Sequence, residues 1–249
     1  MAQIVTLHSY RGGTGKSTTV ANVALLAAAA GRRVAVVDTD IQTPGLHMFF
    51  GMGELSSCRS LADYLVGNCE ITDAAADLPT AEDPGSLYVV RARSRLNEVN
   101  EILMRGYDIG LLSEGFNQLI EDLRLDLVFL DTHTGMGNET AVAIAVSTSL
   151  LVITRPDHLM PEAVENISRA RRLGHPSTSV VINMVPEGMA DDTVRLQAER
   201  TYKSPVIATM PYFHEVATLG SNGVFARERP EHSIVTSYQE VANLIIANE

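Results

Sequence analysis

Cysteine is nearly absent: Cys58 and Cys69 are the two in 249 residues. They lie too far apart for a CxxC pair and have no second pair to join. That argues against a zinc ribbon or a disulfide framework and leaves two ordinary reduced thiols. Positive charge is also scarce. The 19 Lys and Arg stand against 30 Asp and Glu, for a formal net charge of −11 and a pI near 5.1. Binding nucleic acid by neutralising phosphates needs a clustered cationic excess, so general nucleic-acid binding is disfavoured and only a local basic patch stays open. Long apolar runs are missing too, because the stretches 20–31 and 141–153 fall short of a bilayer span. No charged-then-apolar leader opens the chain, and a cytoplasmic protein is expected.

Repeats and low-complexity linkers are absent as well. With 45% hydrophobic and 20% charged residues, a chain of this length can bury one substantial core, and one domain over 1–249 is expected. Strand-length apolar runs alternate with helical patterns from end to end. This is the signature of βαβ units and an α/β fold, a mostly parallel sheet flanked by helices on both faces. The expected strands are 4–8, 34–38, 87–91, 127–131, 150–154, 179–183 and 206–209. Helices are expected over 16–30, 109–123, 138–146, 162–173 and 235–247, with short helices on the sheet edge within 51–86.

The sharpest feature follows the first strand. His8-Ser9-Tyr10-Arg11-Gly12-Gly13-Thr14-Gly15-Lys16-Ser17-Thr18 opens directly into an Ala-rich helix. Glycines let backbone N–H groups turn toward phosphate oxygens, and the helix N-terminus adds donors and its positive dipole end. Lys16 is placed to neutralise β- and γ-phosphates and the Ser17 hydroxyl to ligate Mg²⁺. The generic GxxxxGK[ST] pattern fails at its first glycine, where Tyr10 stands. A plain tight turn before a helix does not require the Gly-Lys-Ser-Thr sequence that follows.

The segment resembles the deviant Walker A loop, KGGxGK[ST], of the ParA/MinD family of dimerising P-loop ATPases (SIMIBI class), and the resemblance runs over nearly the whole chain. It implies a P-loop NTPase fold that binds ATP and Mg²⁺. The phosphates would be held by Gly12, Gly13, Thr14, Gly15, Lys16, Ser17 and Thr18, and ATP would be sandwiched in a homodimer. The family's first lysine reaches the partner's phosphates, and Arg11 stands in its place here. Arginine keeps the charge and offers a planar fork with longer reach, so the resemblance implies a catalytic Arg11 that acts as a trans arginine finger or shifts the geometry of the dimer; a merely solvated arginine is the alternative.

Asp38 and Asp40 close the second strand at the sheet edge where open α/β folds gather ligands, and period two puts both on one face. They resemble the family's switch I. That implies Asp40 orients the attacking water while Asp38 sits near Mg²⁺ and Lys16; the alternative is that both acids end a strand and cap 42–48. Leu127-Val128-Phe129-Leu130-Asp131 matches a Walker B strand, which makes Asp131 a metal ligand beside Ser17 and Asp38. Residues 132–137 resemble switch II, with His133 where the family often has a small residue. A loop histidine is ordinarily just solvated.

Asn183, ending a late apolar strand, resembles the family's adenine ligand, and Met210-Pro211-Tyr212 the loop over the base; a turn-forming Asn is the other reading. The guanine motif NKxD is not apparent. The last helix carries Val235, Tyr238, Val241, Leu244 and Ile245 on one face and no Lys or Arg, so it reads as packed on the sheet rather than membrane-targeting. Arg169, Arg171 and Arg172, with Arg195, Arg200 and Lys203, could form a nonspecific DNA patch, although a solvated helix face is the simpler account.

The resemblance therefore implies an ATPase switch in positioning or assembly, working through a regulatory protein partner. An ATP-coupled metabolic or maturation enzyme of the same superfamily and a non-hydrolysing scaffold are the alternatives. Neither cysteine lies next to the 131 or 156 segments, where an iron–sulfur member needs ligands. A tyrosine autokinase would end in a tyrosine cluster, and the last helix has only Tyr238.

Overall fold

The structure, a computed structural model, describes residues 2–53, 59–79, 84–93, 107–158, 167–168, 172 and 177–247. The eight strands among the described residues are β1 (Gln3–His8), β2 (Arg33–Asp38), β3 (Ala75–Leu78), β4 (Ser86–Val90), β5 (Leu127–Asp131), β6 (Ser149–Thr154), β7 (Ser177–Val185) and β8 (Val206–Pro211). They form one sheet in the order β3-β4-β2-β5-β1-β6-β7-β8. Every neighbouring pair is parallel except β3 with β4.

Strands β1 and β5 are buried along their whole length, as Val-, Ile- and Leu-rich strands covered on both faces must be. Side chains alternate across the sheet. Val34 and Val36 face one core with Val5, Leu7 and Phe129, while Ala35 and Val37 face the other with Ile4, Val128 and Leu130. The first core is closed by α1 (Lys16–Ala29), whose Val20, Val23, Ala24 and Ala27 pack with a C-terminal helix described below. The second is closed by α3 (Leu61–Leu65), which follows the short α2 (Leu46–Phe49), by α4 (Gly110–Leu123) and by α5 (Asn138–Val146). A third cluster lies under α6 (Asp191–Tyr202), through Val194, Ala198 and Tyr202.

Further helices among the described residues are α7 (His214–Leu219), α8 (Phe225–Glu228) and α9 (Ser233–Ala247). Helix α9 packs on α1 and β8, but its buried stripe is Ile234, Tyr238, Val241, Ala242 and Ile245. Leu244, expected on that face, is exposed. Spacings of four, three, one and three residues fit the helical period, and Leu244 falls to the side of that stripe.

All seven expected strands are present, with ends shifted by at most two residues. The eighth, β3, was not expected. Its Ala-Ala-Asp-Leu sequence lacks β-branched and aromatic residues, and it holds its place by antiparallel pairing at the sheet edge. Short elements do fill the 51–86 stretch: α3, with a Ser60–Asp63 capping box, and a 3₁₀ turn, Ile71–Ala74. The expected helix over 162–173, with Arg169 and Arg171, lies mostly outside the described residues. Arg195 does not join a cationic patch as a free group, because its guanidinium donates to the Val206 carbonyl.

Two buried polar side chains tie the layers together. Asn22 donates to the Thr18 carbonyl (2.8 Å) and accepts the Ala226 N–H (2.6 Å), fixing α8 against α1. His8, at the end of β1, meets the Thr132 hydroxyl at 2.9 Å. That hydroxyl gives its proton to the Leu7 carbonyl at 3.1 Å, so His8 Nδ1 must carry the hydrogen. Nε2 is then an acceptor, and it is buried with no hydrogen-bond partner among the described residues. Burial first, then the electrostatic influence of Lys16 and His133, pushes the ring down to about 3.

Replacing Asn22 with Ala leaves the buried Ala226 N–H without its acceptor, so urea unfolding is expected to show a loss of about 1–3 kcal/mol. For His8 the folded pKa lies below the unfolded one. Below about pH 6.5 the unfolded chain takes up a proton that the folded chain refuses, and this group's share of stability falls by about 1.4 kcal/mol per pH unit on acidification. Unfolding midpoints of the parent and His8→Asn, followed from pH 7.5 to 4.5, should converge at the acid end as the variant loses that slope.

Candidate functional site

Parallel strands deliver their C-terminal ends to one edge, and the loops that leave β1, β2, β5, β7 and β8 meet there. The loop after β1 begins with Ser9, whose hydroxyl donates to the Arg11 carbonyl (3.0 Å). The Tyr10 ring meets His8 edge-on, with centroids 4.8 Å apart, and packs against the cluster around Tyr202. Packing explains an aromatic residue where the generic pattern has glycine. Gly15 has φ +80°, and a Cβ there would lie 2.3 Å from Asn183 Nδ2, so both backbone conformation and close approach demand glycine. Helix α1 starts at the next residue with no side-chain cap, leaving its first N–H groups for a ligand. They border a cavity of about 260 Å³ lined by Ser9, Gly12, Gly13, Thr14, Gly15, Lys16, Ser17 and Thr18, with Asp40, Thr132 and Thr134 opposite.

Lys16 Nζ pairs with Asp131 Oδ1, and the Ser17 hydroxyl donates to Asp131 Oδ2 at 2.7 Å. One carboxylate thus gathers both residues that the motif singles out. A hydroxyl and a carboxylate oxygen side by side are the hard donors Mg²⁺ takes, and with the glycine cradle they fit a Mg²⁺-bound polyphosphate. Arg11 is exposed and outside the cavity lining.

Asp38 and Asp40 do not share surroundings as period two suggested, because the strand ends at Asp38. Asp38 is buried and accepts the N–H groups of Asp40 (3.0 Å), Gly45 and Leu46 (both 3.1 Å), so it closes the following loop and starts α2. Asp38 thus makes the contacts that the capping alternative describes. Burial and then the neighbouring Asp131 charge push its carboxyl up to about 7, against the opposing pull of those backbone donors and Lys16.

Asp40 reaches the cavity wall. Its Oδ1 accepts Thr43 N–H, and its Oδ2 accepts the Thr43 hydroxyl and His133 Nδ1, each at 2.8 Å. Burial works to raise this carboxyl, but the bonds from His133 and Thr43 outweigh it and hold the group below its ordinary value. His133 is not the idle loop residue expected from sequence. The missed signal is a paired spelling, Asp38-Thr39-Asp40 against Asp131-Thr132-His133. Asp38 and Asp131 are in register between β2 and β5, and each following threonine donates its hydroxyl to a neighbouring strand, Thr39 to the Asp131 carbonyl and Thr132 to that of Leu7 (both 3.1 Å). The next residues of the two loops then stand side by side.

On the other side of Gly15, Asn183 donates to the Thr14 carbonyl (2.9 Å) and accepts the Met184 N–H (2.9 Å). Met184 has φ +56°, at a register shift between β7 and β8. Asn183, Met184, Pro211, Tyr212 and Thr18 share a second cavity, of about 100 Å³, which opens beside a larger groove past Tyr212. The expected base-side residues are brought together, with Asn183 also buttressing the phosphate loop.

Comparison with known proteins places the chain by sequence and by fold. The chain is 27% identical over 220 residues to an uncharacterized ATP-binding protein of Methanocaldococcus jannaschii, covering 85% of this chain and 75% of that one. It is 26% identical over 255 residues to an iron-sulfur cluster carrier protein of Pseudomonas fragi, covering 96% and 83%. Its fold matches that of the septum site-determining protein MinD of Pyrococcus horikoshii complexed with Mg-ADP, with a TM-score of 0.79 at 19% identity over 98% and 96% of the two chains. A family model for the CobQ/CobB/MinD/ParA nucleotide binding domain matches residues 5–224, and the chain belongs to that family.

Proposed function

We propose that this protein is an ATP-binding and hydrolysing switch of the ParA/MinD type, a single cytoplasmic domain that dimerises around ATP and Mg²⁺ and acts through a regulatory protein partner in positioning or assembly. The observation that carries the reading is the meeting of Lys16 and Ser17 on the Asp131 carboxylate beside the glycine-lined cavity. The Mg-ADP in the Pyrococcus horikoshii relative supports the same ligand here.

The backbone of Gly12, Gly13, Thr14 and Gly15, with the first turn of α1, binds the phosphates, and Thr18 joins Asn183 and Pro211 on the base side. Lys16 neutralises the β- and γ-phosphates. Ser17 and Asp131 would hold Mg²⁺, with Asp38 behind them, and the ion supplies further charge neutralisation at the phosphate oxygens. Asp40 orients a water in line with the γ-phosphorus. A new P–O bond forms as the bond to the β–γ bridging oxygen breaks, giving ADP and phosphate. The exposed Arg11 reaches the partner's phosphates across the dimer, where a guanidinium fork is suited to a phosphate.

Similarity to an iron-sulfur cluster carrier favours a second reading, an ATP-coupled maturation enzyme. In the sequence neither Cys58 nor Cys69 neighbours the 131 or 156 segments, which weighs against it.

Solution mass with no nucleotide, with ADP and with ATP·Mg²⁺ tests the switch. ATP alone should shift the parent to a dimer, and Asp40→Ala should trap that dimer while turnover drops by about 100-fold, the scale of a lost positioning group. A mass indifferent to nucleotide would refute the switch. Arg11→Ala is expected to bind ATP as a monomer with near-parental affinity yet dimerise weakly and hydrolyse slowly; parental dimerisation and turnover would remove the trans role.

A further inference from the structure

The Asp40 carboxylate is held from two sides. A carboxylate has about four lone-pair sites, and three are engaged: one on Oδ1 by Thr43 N–H, and two on Oδ2 by the Thr43 hydroxyl and His133 Nδ1. One site, on Oδ1, is left for water. The Thr43 bonds are local to the loop, and by themselves they let that loop move as a unit with its carboxylate. The His133 bond is different in kind. It spans 93 residues of sequence and ties the loop after β2 to the loop that follows Asp131, the last residue of β5, which holds Lys16 and Ser17. The His133 end is itself anchored, since the preceding Thr132 is buried and bonded to both Leu7 and His8.

We propose that His133 is a positioning residue for hydrolysis: its Nδ1–H fixes the Asp40 carboxylate relative to the phosphate cavity and locks the loops after β2 and β5 to each other. This rests on the reading that Asp40 orients the attacking water. The role needs only a hydrogen on Nδ1, which the neutral ring supplies with its hydrogen on that nitrogen. The pair is also poorly suited to a purely structural task. His133 is 45% exposed, and half-exposed pairs contribute little to stability, so its worth lies in geometry. A group that must sit within a fraction of an ångström of a reacting water gains from a second tether even when the fold does not.

The test compares His133→Ala, His133→Asn, Asp40→Ala and the Asp40→Ala/His133→Ala pair in steady-state ATP hydrolysis, with ATP affinity and thermal midpoint read alongside. His133→Ala should lower kcat by about 10- to 100-fold with KM, affinity and midpoint nearly parental, the pattern of a lost transition-state interaction. His133→Asn should recover most of that loss, because an amide N–H can stand near the position of Nδ1–H. In the Asp40→Ala background, removing His133 should cost nothing further. The inference is overturned if Asp40→Ala loses turnover while His133→Ala keeps the parental kcat, if His133→Ala raises KM at unchanged kcat, or if its penalty persists without Asp40. Parental hydrolysis by Asp40→Ala would instead bring down the reading of Asp40, and this inference with it.

Discussion

A lysine and an aspartate that are both nearly buried have to find each other, and much of the site follows from how Lys16 and Asp131 do so. Their side chains are 10% and 4% exposed, a setting in which either charge alone would cost several kcal/mol. The pairing needs β5 beside β1, so that a helix starting just past one strand delivers its first side chain onto the end of the other. The central placement of β1 between β5 and β6 supplies this. One lysine faces two acids, however. Asp38 stands in register beside Asp131, and its carboxyl rises to about 7 because burial and the Asp131 charge outweigh its backbone donors and Lys16. The cluster is therefore sensitive to any cation or polyphosphate that changes its charge balance.

The parts of this arrangement governed by local chemistry were legible in the sequence. A buried parallel strand writes itself as an apolar run, and a phosphate loop as glycines followed by Lys-Ser at a helix start. What was not legible depends on neighbours that the chain meets only after folding. Strand β3 has no propensity of its own and exists because β4 offers an edge. Asp38 also closes a loop, a task its place at a strand end does not announce, because Gly45 and Leu46 return to donate to it only after folding. His133 looked idle because its partner is visible only once β2 and β5 are known to pair in that register. The matching Asp-Thr-Asp and Asp-Thr-His spellings carry this information, but only when the topology is in hand.

The two departures from the family's loop pattern have different physical standing. Tyr10 faces inward, where its ring packs on His8 and its hydroxyl is buried, so it is part of the platform under the loop. Arg11 faces outward, exposed. A chain with net charge −11 repels a second copy of itself at long range, and under the dimeric reading proposed above an exposed cation such as Arg11 would lessen that repulsion.

The end of β7 and the glycine loop after β1 are mechanically one object. Asn183 spends one amide hydrogen on the Thr14 carbonyl and presses close enough to Gly15 that no side chain fits between them. Its oxygen fixes the next residue, Met184, in a left-handed conformation that a methionine adopts only when its surroundings compel it. The register shift between β7 and β8 accommodates that turn and leaves Pro211 and Tyr212 across the cavity from Asn183. A group that pushed Asn183 outward would break the Thr14 bond and loosen the loop that cradles phosphate. One that accepted the remaining amide hydrogen of Asn183 would leave that bond in place and hold the loop more firmly. The cavity beside Asn183 is thus coupled to the glycine loop through that side-chain amide.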